Sequence, residues 1–238
     1  MITVNYNKLN IKPGYKILDM GCGSGRHTCG VYQLKNITAI GVDLDLNDLK
    51  EAAQKLAYHD SIKAHGGGNW ALSVADIRQI PFQNESFDLV ICSEVLEHII
   101  DDKAAISELE RVLKPNCNLV VSVPRYWPER ICWALSDSYV NADKGGHVRI
   151  YNRQNLIKLI KKQTDLKFIL YHHAHSIHSP FWWLKCLIGP SKKDSALINI
   201  YHKLLVWDLM EKPWITQFID KLFNPIAGKS VVLYFKKP

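Results

Sequence analysis

The chain of 238 residues carries 30 Lys and Arg against 23 Asp and Glu, a formal net charge of +7, and 47% of its residues are hydrophobic. That composition excludes a disordered chain, and no apolar run approaches the roughly 18 residues of a membrane span, so a single cytoplasmic domain over residues 1–238 is expected. The six cysteines are scattered without a CxxC pair, which excludes a disulfide framework and a structural zinc.

From Tyr15 to Pro124 short β-rich runs alternate with helical patterns. In order they are "YKILDM", a helix from about Gly25, "ITAIGVD", the helix "LNDLKEAAQKLAYH", "WALSVAD", "FDLVICS", the helix "DKAAISELERVL" and "NLVVSVP". Buried-looking strands joined by crossover helices predict a parallel sheet covered on both faces. The pattern resumes with a helix near Asn152 to Lys162, a strand "LKFILYHH" and a last strand "SVVLYF". Two tryptophan-rich stretches interrupt it, at about 125–146 and 177–228, and neither has a linker on both sides. They read as insertions into one domain.

The stretch "ILDMGCGSGRH" places Gly21, Gly23 and Gly25 directly after the first strand. Clustered glycines suit positive φ and close approach of backbone amides to a ligand at the carboxyl end of a strand. The dinucleotide spacing G-x-G-x-x-G fails because residue 26 is arginine, and a P-loop would need G-K-[ST]. Asp19, Asp43 and Asp76 stand at or just beyond three successive strand tips. Acids there crowd a phosphate but suit an ammonium, a ribose diol and an amino-substituted base, which together describe S-adenosylmethionine.

The segments "ILDMGCGSG", "GVDLD", "ADIRQIPFQNESFDLVICSEVLEHI" and "ELERVLKPNCNLVVSVP" cover about Tyr15 to Pro124. In this order and spacing they resemble the class I S-adenosylmethionine-dependent methyltransferases, especially the small-molecule branch that includes quinone-biosynthesis enzymes. The resemblance implies an α/β fold, a doubly wound, mostly parallel seven-stranded sheet with an antiparallel last strand. It also implies that Asp19 and the backbone of Gly21, Gly23 and Gly25 hold the methionine moiety. Asp43, with Leu44 beside it, would take the ribose, Asp76 and Ile77 the adenine, and Ser93 and Glu94 the methionine end. One departure is Cys117, where "LKPNCNL" has cysteine at a position usually glycine in this family.

Methyl transfer is an in-line displacement, so positioning carries much of it and an ionisable acceptor needs a base. His98 in "SEVLEHI" and His147 in "KGGHVRIYNRQNL" are the candidate catalytic residues, and Arg149 could join His147 on an anionic or phenolic group. In some quinone methyltransferases the segment holding Glu94, Glu97 and His98 is associated with a divalent metal; no metal centre is assigned here. "YHHAHSIHSP" brings four histidines together, which read as packing or substrate contacts.

Both insertions leave from the carboxyl edge of the sheet in this topology, so they are expected to form a mostly helical lid over the acceptor. Their aromatic content predicts a small hydrophobic or aromatic acceptor, isoprenoid, lipid-linked or phenolic, and their basic residues suggest contact with a membrane surface. RNA is the alternative substrate suggested by the charge. Against it, the sequence has no N-P-P-[YF] motif and no dense basic stretch interleaved with aromatics. A non-catalytic S-adenosylmethionine-binding protein is the third reading.

Overall fold

Strands β1 (Lys16–Met20), β2 (Thr38–Asp43), β3 (Asn69–Val74), β4 (Phe87–Ser93), β5 (Leu113–Pro124), β6 (Lys167–Ala174) and β7 (Ser230–Lys236) form one sheet in a computed structural model that describes residues 2–140, 146–189 and 195–238. The order is β3-β2-β1-β4-β5-β7-β6. Neighbours from β3 to β5 run parallel, and β7 is antiparallel to both β5 and β6. Six strands therefore point one way, and their carboxyl ends share one edge.

The strand period of two divides the core between the faces of the sheet. Leu18, Met20, Val90, Cys92, Leu119, Val121, Leu233 and Phe235 pack on one side beneath α3 (Asp102–Val112) and α6 (Arg153–Gln163). Ile17, Leu89, Ile91, Val120, Val232 and Tyr234 face the other side, under α1 (Arg26–Tyr32) and α2 (Leu46–Ser61). Central strands buried on both faces need apolar residues at every position, which is why "LVIC" and "LVVSV" carry no alternation. Helix starts are set by side chains that satisfy orphan amides: Asp45 accepts from Asn47 and Asp48, Asp101 from Ala104 and Asn152 from Gln154. At the Cys117 departure the left-handed conformation falls one residue earlier, on Asn116 at φ 61°, within β5. Asparagine tolerates that region, so the turn forms without glycine.

After β5 the chain enters α4 (Tyr126–Leu135) and α5 (Asp137–Val140); after β6 it enters α7 (His178–Ile188), α8 (Ala196–Glu211) and α9 (Trp214–Ala227). The two groups of helices interlock. Trp183 donates its indole N–H to the Pro128 carbonyl at 3.0 Å and packs against Trp127, ring centroids 5.5 Å apart. The Arg125 guanidinium donates to the carbonyls of Asn224, Pro225 and Ile226 at the end of α9, at 3.2, 2.8 and 2.8 Å. A cation there satisfies carbonyls that the helix leaves unpaired and complements the negative end of its dipole. Among the described residues no helix is long and apolar enough to cross a membrane.

Buried imidazoles make the fold sensitive to acid. His27 is buried under the N-terminal segment, where its Nε2 accepts the Thr3 N–H at 3.1 Å. Burial, helped by the Arg26 charge, pushes its pKa down to about 3, and burial pushes His173 and His178 down to about 4. The unfolded chain takes up these protons first, so stability present above about pH 6.5 is lost as the pH falls through the folded values. Asp19, raised by burial to about 6, works in the opposite sense, so a single-residue comparison isolates the histidine. His27→Gln, which keeps an acceptor for Thr3, should show a shallower loss of stability than the parent between about pH 6.5 and 3. Urea unfolding followed by tryptophan fluorescence across that range checks it; parallel curves would contradict the neutral, buried His27.

Candidate functional site

The loop between β1 and α1 is built on left-handed backbone, with Gly21 at φ 71°, Gly23 at 50° and Gly25 at 81°. Space reinforces the requirement: a Cβ on Gly21 would lie 2.2 Å from Val95 Cγ2, and one on Gly25 would lie 2.8 Å from Ala52 Cβ. The curled backbone turns its amides toward β2. Gly21 and Cys22 donate to the Val42 carbonyl at 2.7 and 3.0 Å, and Gly23 donates to Asp43 Oδ2 at 2.7 Å. Asp43 Oδ1 accepts the Asp45 N–H at 3.0 Å, and each carboxylate oxygen retains acceptor capacity for a ligand hydroxyl.

These groups border a cavity of about 680 Å³ at the carboxyl edge of the sheet. Gly21, Gly23, Ser24 and Arg26 form one wall; Asp43 and Leu44 come from β2; Ala75 and Ile77 follow β3. Ser93, Glu94, Val95, His98 and Ile99 close the side beyond β4. Seven of the sequence-derived positions thus meet here as cofactor candidates, Gly21, Gly23, Asp43, Leu44, Ile77, Ser93 and Glu94, together with His98. The remaining ones lie elsewhere. Asp19 is buried beneath the loop, accepts from the Thr28 hydroxyl at 2.7 Å and is raised to about 6 by burial, so it braces the loop from below. Gly25 faces a separate depression beside Cys29 and Lys55. The Asp76 carboxylate is gripped by the Arg78 side chain at 2.6 Å and by its amide at 2.8 Å, contacts that hold its pKa below the usual carboxylate range. Asp76 is absent from the cavity wall, although its neighbours Ala75 and Ile77 belong to it.

Glu94 itself is left-handed, φ 58°, and its amide donates to the Ser122 carbonyl at 2.9 Å. The Ser122 hydroxyl donates to Glu94 Oε1 at 3.0 Å and lies 2.7 Å from the Ser93 hydroxyl. This network holds the Glu94 side chain at the rim. The next acid is in a different state. Glu97 is 1% exposed, and neither carboxyl oxygen has a hydrogen-bond partner among the described residues. Burial, followed by the Glu94 charge, pushes its pKa well above the ordinary value, which favours the neutral acid.

His98 and His147 meet edge to face, ring centroids 4.8 Å apart, although 49 positions separate them in the chain. The junction is made by backbone: Val148 donates to the Glu97 carbonyl at 2.9 Å, and His98 Nδ1 lies 3.3 Å from the Gly146 carbonyl. One ligand atom each of Glu97, His98 and His147 falls within 4.8 Å of the others, so this trio could hold a cation. His147 Nδ1 also contacts Glu129 Oε1 at 2.6 Å. Glu129 is buried and accepts from the Trp133 indole at 3.2 Å and the Tyr139 hydroxyl at 3.3 Å. Burial works to raise the Glu129 pKa, but the hydrogen bond and charge of His147 hold it below the usual value. A carboxylate on Nδ1 orients the ring and leaves Nε2 as the atom turned to chemistry. Arg149, by contrast, is engaged by Asp102 and the Ile100 carbonyl, so it serves the fold.

Glu129, Tyr139 and Ser122 are the site residues that sequence reasoning missed. The available signal for Glu129 was a lone acid in the apolar, aromatic helix "YWPERICWAL", which water alone does not explain once that helix packs on the core.

A family described as a methyltransferase domain matches residues 11–186. An O-methyltransferase of Pyrenophora dematioidea is 31% identical over 116 residues, 49% of this chain and 42% of that protein. The demethylmenaquinone methyltransferase of Staphylococcus aureus is 31% identical over 110 residues, 45% of this chain and 42% of the relative. The chain therefore spans about two fifths of the length of these curated relatives. The solved structure of an S-adenosylmethionine-dependent methyltransferase of Methanosarcina mazei superposes with a TM-score of 0.63 at 14% identity, covering 99% of both chains.

The close approach at Gly21 has a measurable consequence. Gly21→Ala adds a methyl group against Val95 on a left-handed residue, and the urea midpoint should fall by the equivalent of about 1–3 kcal/mol. An unchanged midpoint would mean that the loop does not seat against Val95.

Proposed function

The chain belongs to the class I S-adenosylmethionine-dependent methyltransferases, and from that premise we propose that it methylates a small hydrophobic or aromatic acceptor beneath helices α4, α5 and α7. The observation that carries the reading is one cavity holding left-handed glycine amides, a strand-tip carboxylate and an imidazole together.

The donor set fits the cofactor. Gly21 and Gly23, whose own amides are held by Val42 and Asp43, would let the methionine end approach the loop backbone closely, and a Cβ on Gly21 would clash with Val95. Asp43 accepts the two ribose hydroxyls while keeping its hold on the loop. Leu44 and Ile77 provide apolar faces for the adenine, and the engagement of Asp76 by Arg78 leaves the ring contacts to them. Ser93 and Glu94 border the methionine end, and Asp19 supports the loop through Thr28.

S-Adenosylmethionine supplies an electrophilic methyl group on a sulfonium centre. His98, in the cavity wall, receives the proton of an acceptor hydroxyl as the oxygen attacks. His147 stands against it with Nδ1 fixed by Glu129, a second imidazole poised to pass that proton on. Tyr139 and Trp182, ring centroids 6.1 Å apart, continue from His147 as an aromatic surface that would suit an apolar acceptor reaching His98. That surface favours a flat or apolar acceptor, and the relative named for demethylmenaquinone supports the same class.

Two measurements test the assignment. Asp43→Ala should weaken S-adenosylmethionine binding by about 1–3 kcal/mol in calorimetry, as expected when charged hydrogen bonds are lost. Unchanged affinity would remove Asp43 from the ribose. His98→Gln should lower the rate of S-adenosylhomocysteine release with a quinol or phenol acceptor while leaving cofactor affinity intact, and full turnover would make His98 a packing residue.

A further inference from the structure

Helices α8 and α9 form a hairpin across Lys212 and Pro213 whose outer face is apolar and open to solvent. Trp214, Phe218, Leu222 and Ile226 recur every fourth residue and form one stripe along α9, each exposed. On α8, Trp207 and Met210 are exposed as well. Trp214 is 79% and Met210 73% exposed. Of the sixteen residues of α8, only Ile198, Leu205 and Asp208 are buried. A surface helix packed on a core ordinarily turns its apolar stripe inward, so an outward stripe of this size requires something to cover it.

The charges identify what covers it. Asp208 is buried and accepts from Gln217, and Asp220 is turned inward onto the Ser176 hydroxyl and the Ile177 amide. Lys203, Lys212 and Lys221 are exposed, and Glu211 is the one exposed acid of the two helices. The hairpin thus offers water an apolar stripe flanked by cations, with its aspartates hidden. A second copy of the chain would bring the same excess of exposed lysine over acid to the contact, three against Glu211 alone on each hairpin, with no anionic surface to balance it. An anionic bilayer meets both requirements, taking the stripe into the acyl boundary and the ammonium groups at the level of its phosphates.

We propose that the α8–α9 hairpin is an interfacial membrane anchor for anionic lipid, lying in the headgroup region rather than crossing it. No described helix is long and apolar enough to cross a membrane, which is consistent with a hairpin lying in the interface. The anchor is also coupled to the site. Tyr201 of α8 packs on Phe181, Phe181 on Trp182, Trp182 on Tyr139 and Tyr139 on His147, with ring centroids 5.8, 5.9, 6.1 and 6.1 Å apart. The anchor does not depend on the identity of the acceptor.

The experiment is co-sedimentation of the full chain with phosphatidylglycerol or phosphatidylcholine vesicles, with tryptophan emission recorded in parallel. The protein should pellet with phosphatidylglycerol, shift its emission to the blue and bind phosphatidylcholine at least about tenfold more weakly. Trp214→Ser with Phe218→Ser, and separately Lys203→Glu with Lys212→Glu and Lys221→Glu, should each reduce pelleting about tenfold or more, while calorimetry finds S-adenosylmethionine affinity unchanged. No pelleting with phosphatidylglycerol would overturn the anchor. Pelleting unaltered by either set of substitutions would overturn it as well, and so would a concentration-dependent dimer in gel filtration abolished by the Trp214 and Phe218 changes.

Discussion

Everything at the cofactor edge depends on the Asp43 carboxylate reaching back to the Gly23 amide. β1 and β2 lie parallel with Met20 beside Val42, so the chain leaving one strand passes directly over the tip of the next. Only a curled, left-handed path lets the Gly21 and Cys22 amides close on Val42 and the Gly23 amide close on Asp43. That path then delivers the chain into α1 at Gly25, with Asp19 and Thr28 bracing it from beneath. A charged acceptor on a short amide bond is stronger than a neutral pair, which makes Asp43 a structural strut of the loop.

The two halves of the candidate site are made by different physics. The first half is backbone at the ends of parallel strands, positioned by the sheet itself. The second half is side chains in contact: Glu129 from α4, Tyr139 from α5, and His147 from the segment before α6. Burial sharpens their interaction, because Glu129 keeps its charge against desolvation through His147. Glu97, where burial and then the Glu94 charge dominate and the nearest imidazole nitrogen, His98 Nε2, stays 4.0 Å away, is driven toward neutrality.

Much of the first half was legible in the amino-acid sequence. The apolar runs, the three glycines and the acid of "GVDLD" are local signals, each confined to a few residues whose chemistry has one good structural use. The second half was not, since the Glu129 to His147 contact joins residues on different elements and no local pattern encodes their meeting. The left-handed φ of Glu94 is set by the Ser122 carbonyl of a neighbouring strand, a demand that glutamate does not advertise. Asp76 shows a limit of another kind: an acid at the right distance from a strand is also two residues from Arg78, and the arginine engages it. The tryptophans divided as well. Trp182 and Trp183 pack against α5 and α4, whereas Trp214 faces solvent, and composition alone could not sort them.

The position of β7 governs the order in which this protein can assemble. β6 has one neighbour in the sheet, and that neighbour is β7, which is made only after α7, α8 and α9 have been synthesised. Until β7 slots between β5 and β6, β5 is an open edge, and the buried residues from Ser230 to Phe235 are missing from both hydrophobic layers. The β3 to β5 portion, whose pairings all join strands made before α4, can consolidate on the emerging chain. The remainder must wait for a long-range closure, which is entropically slow. The solvent-facing hairpin is consequently translated ahead of the strand that ties its base into the sheet, an interval in which chaperones would find it.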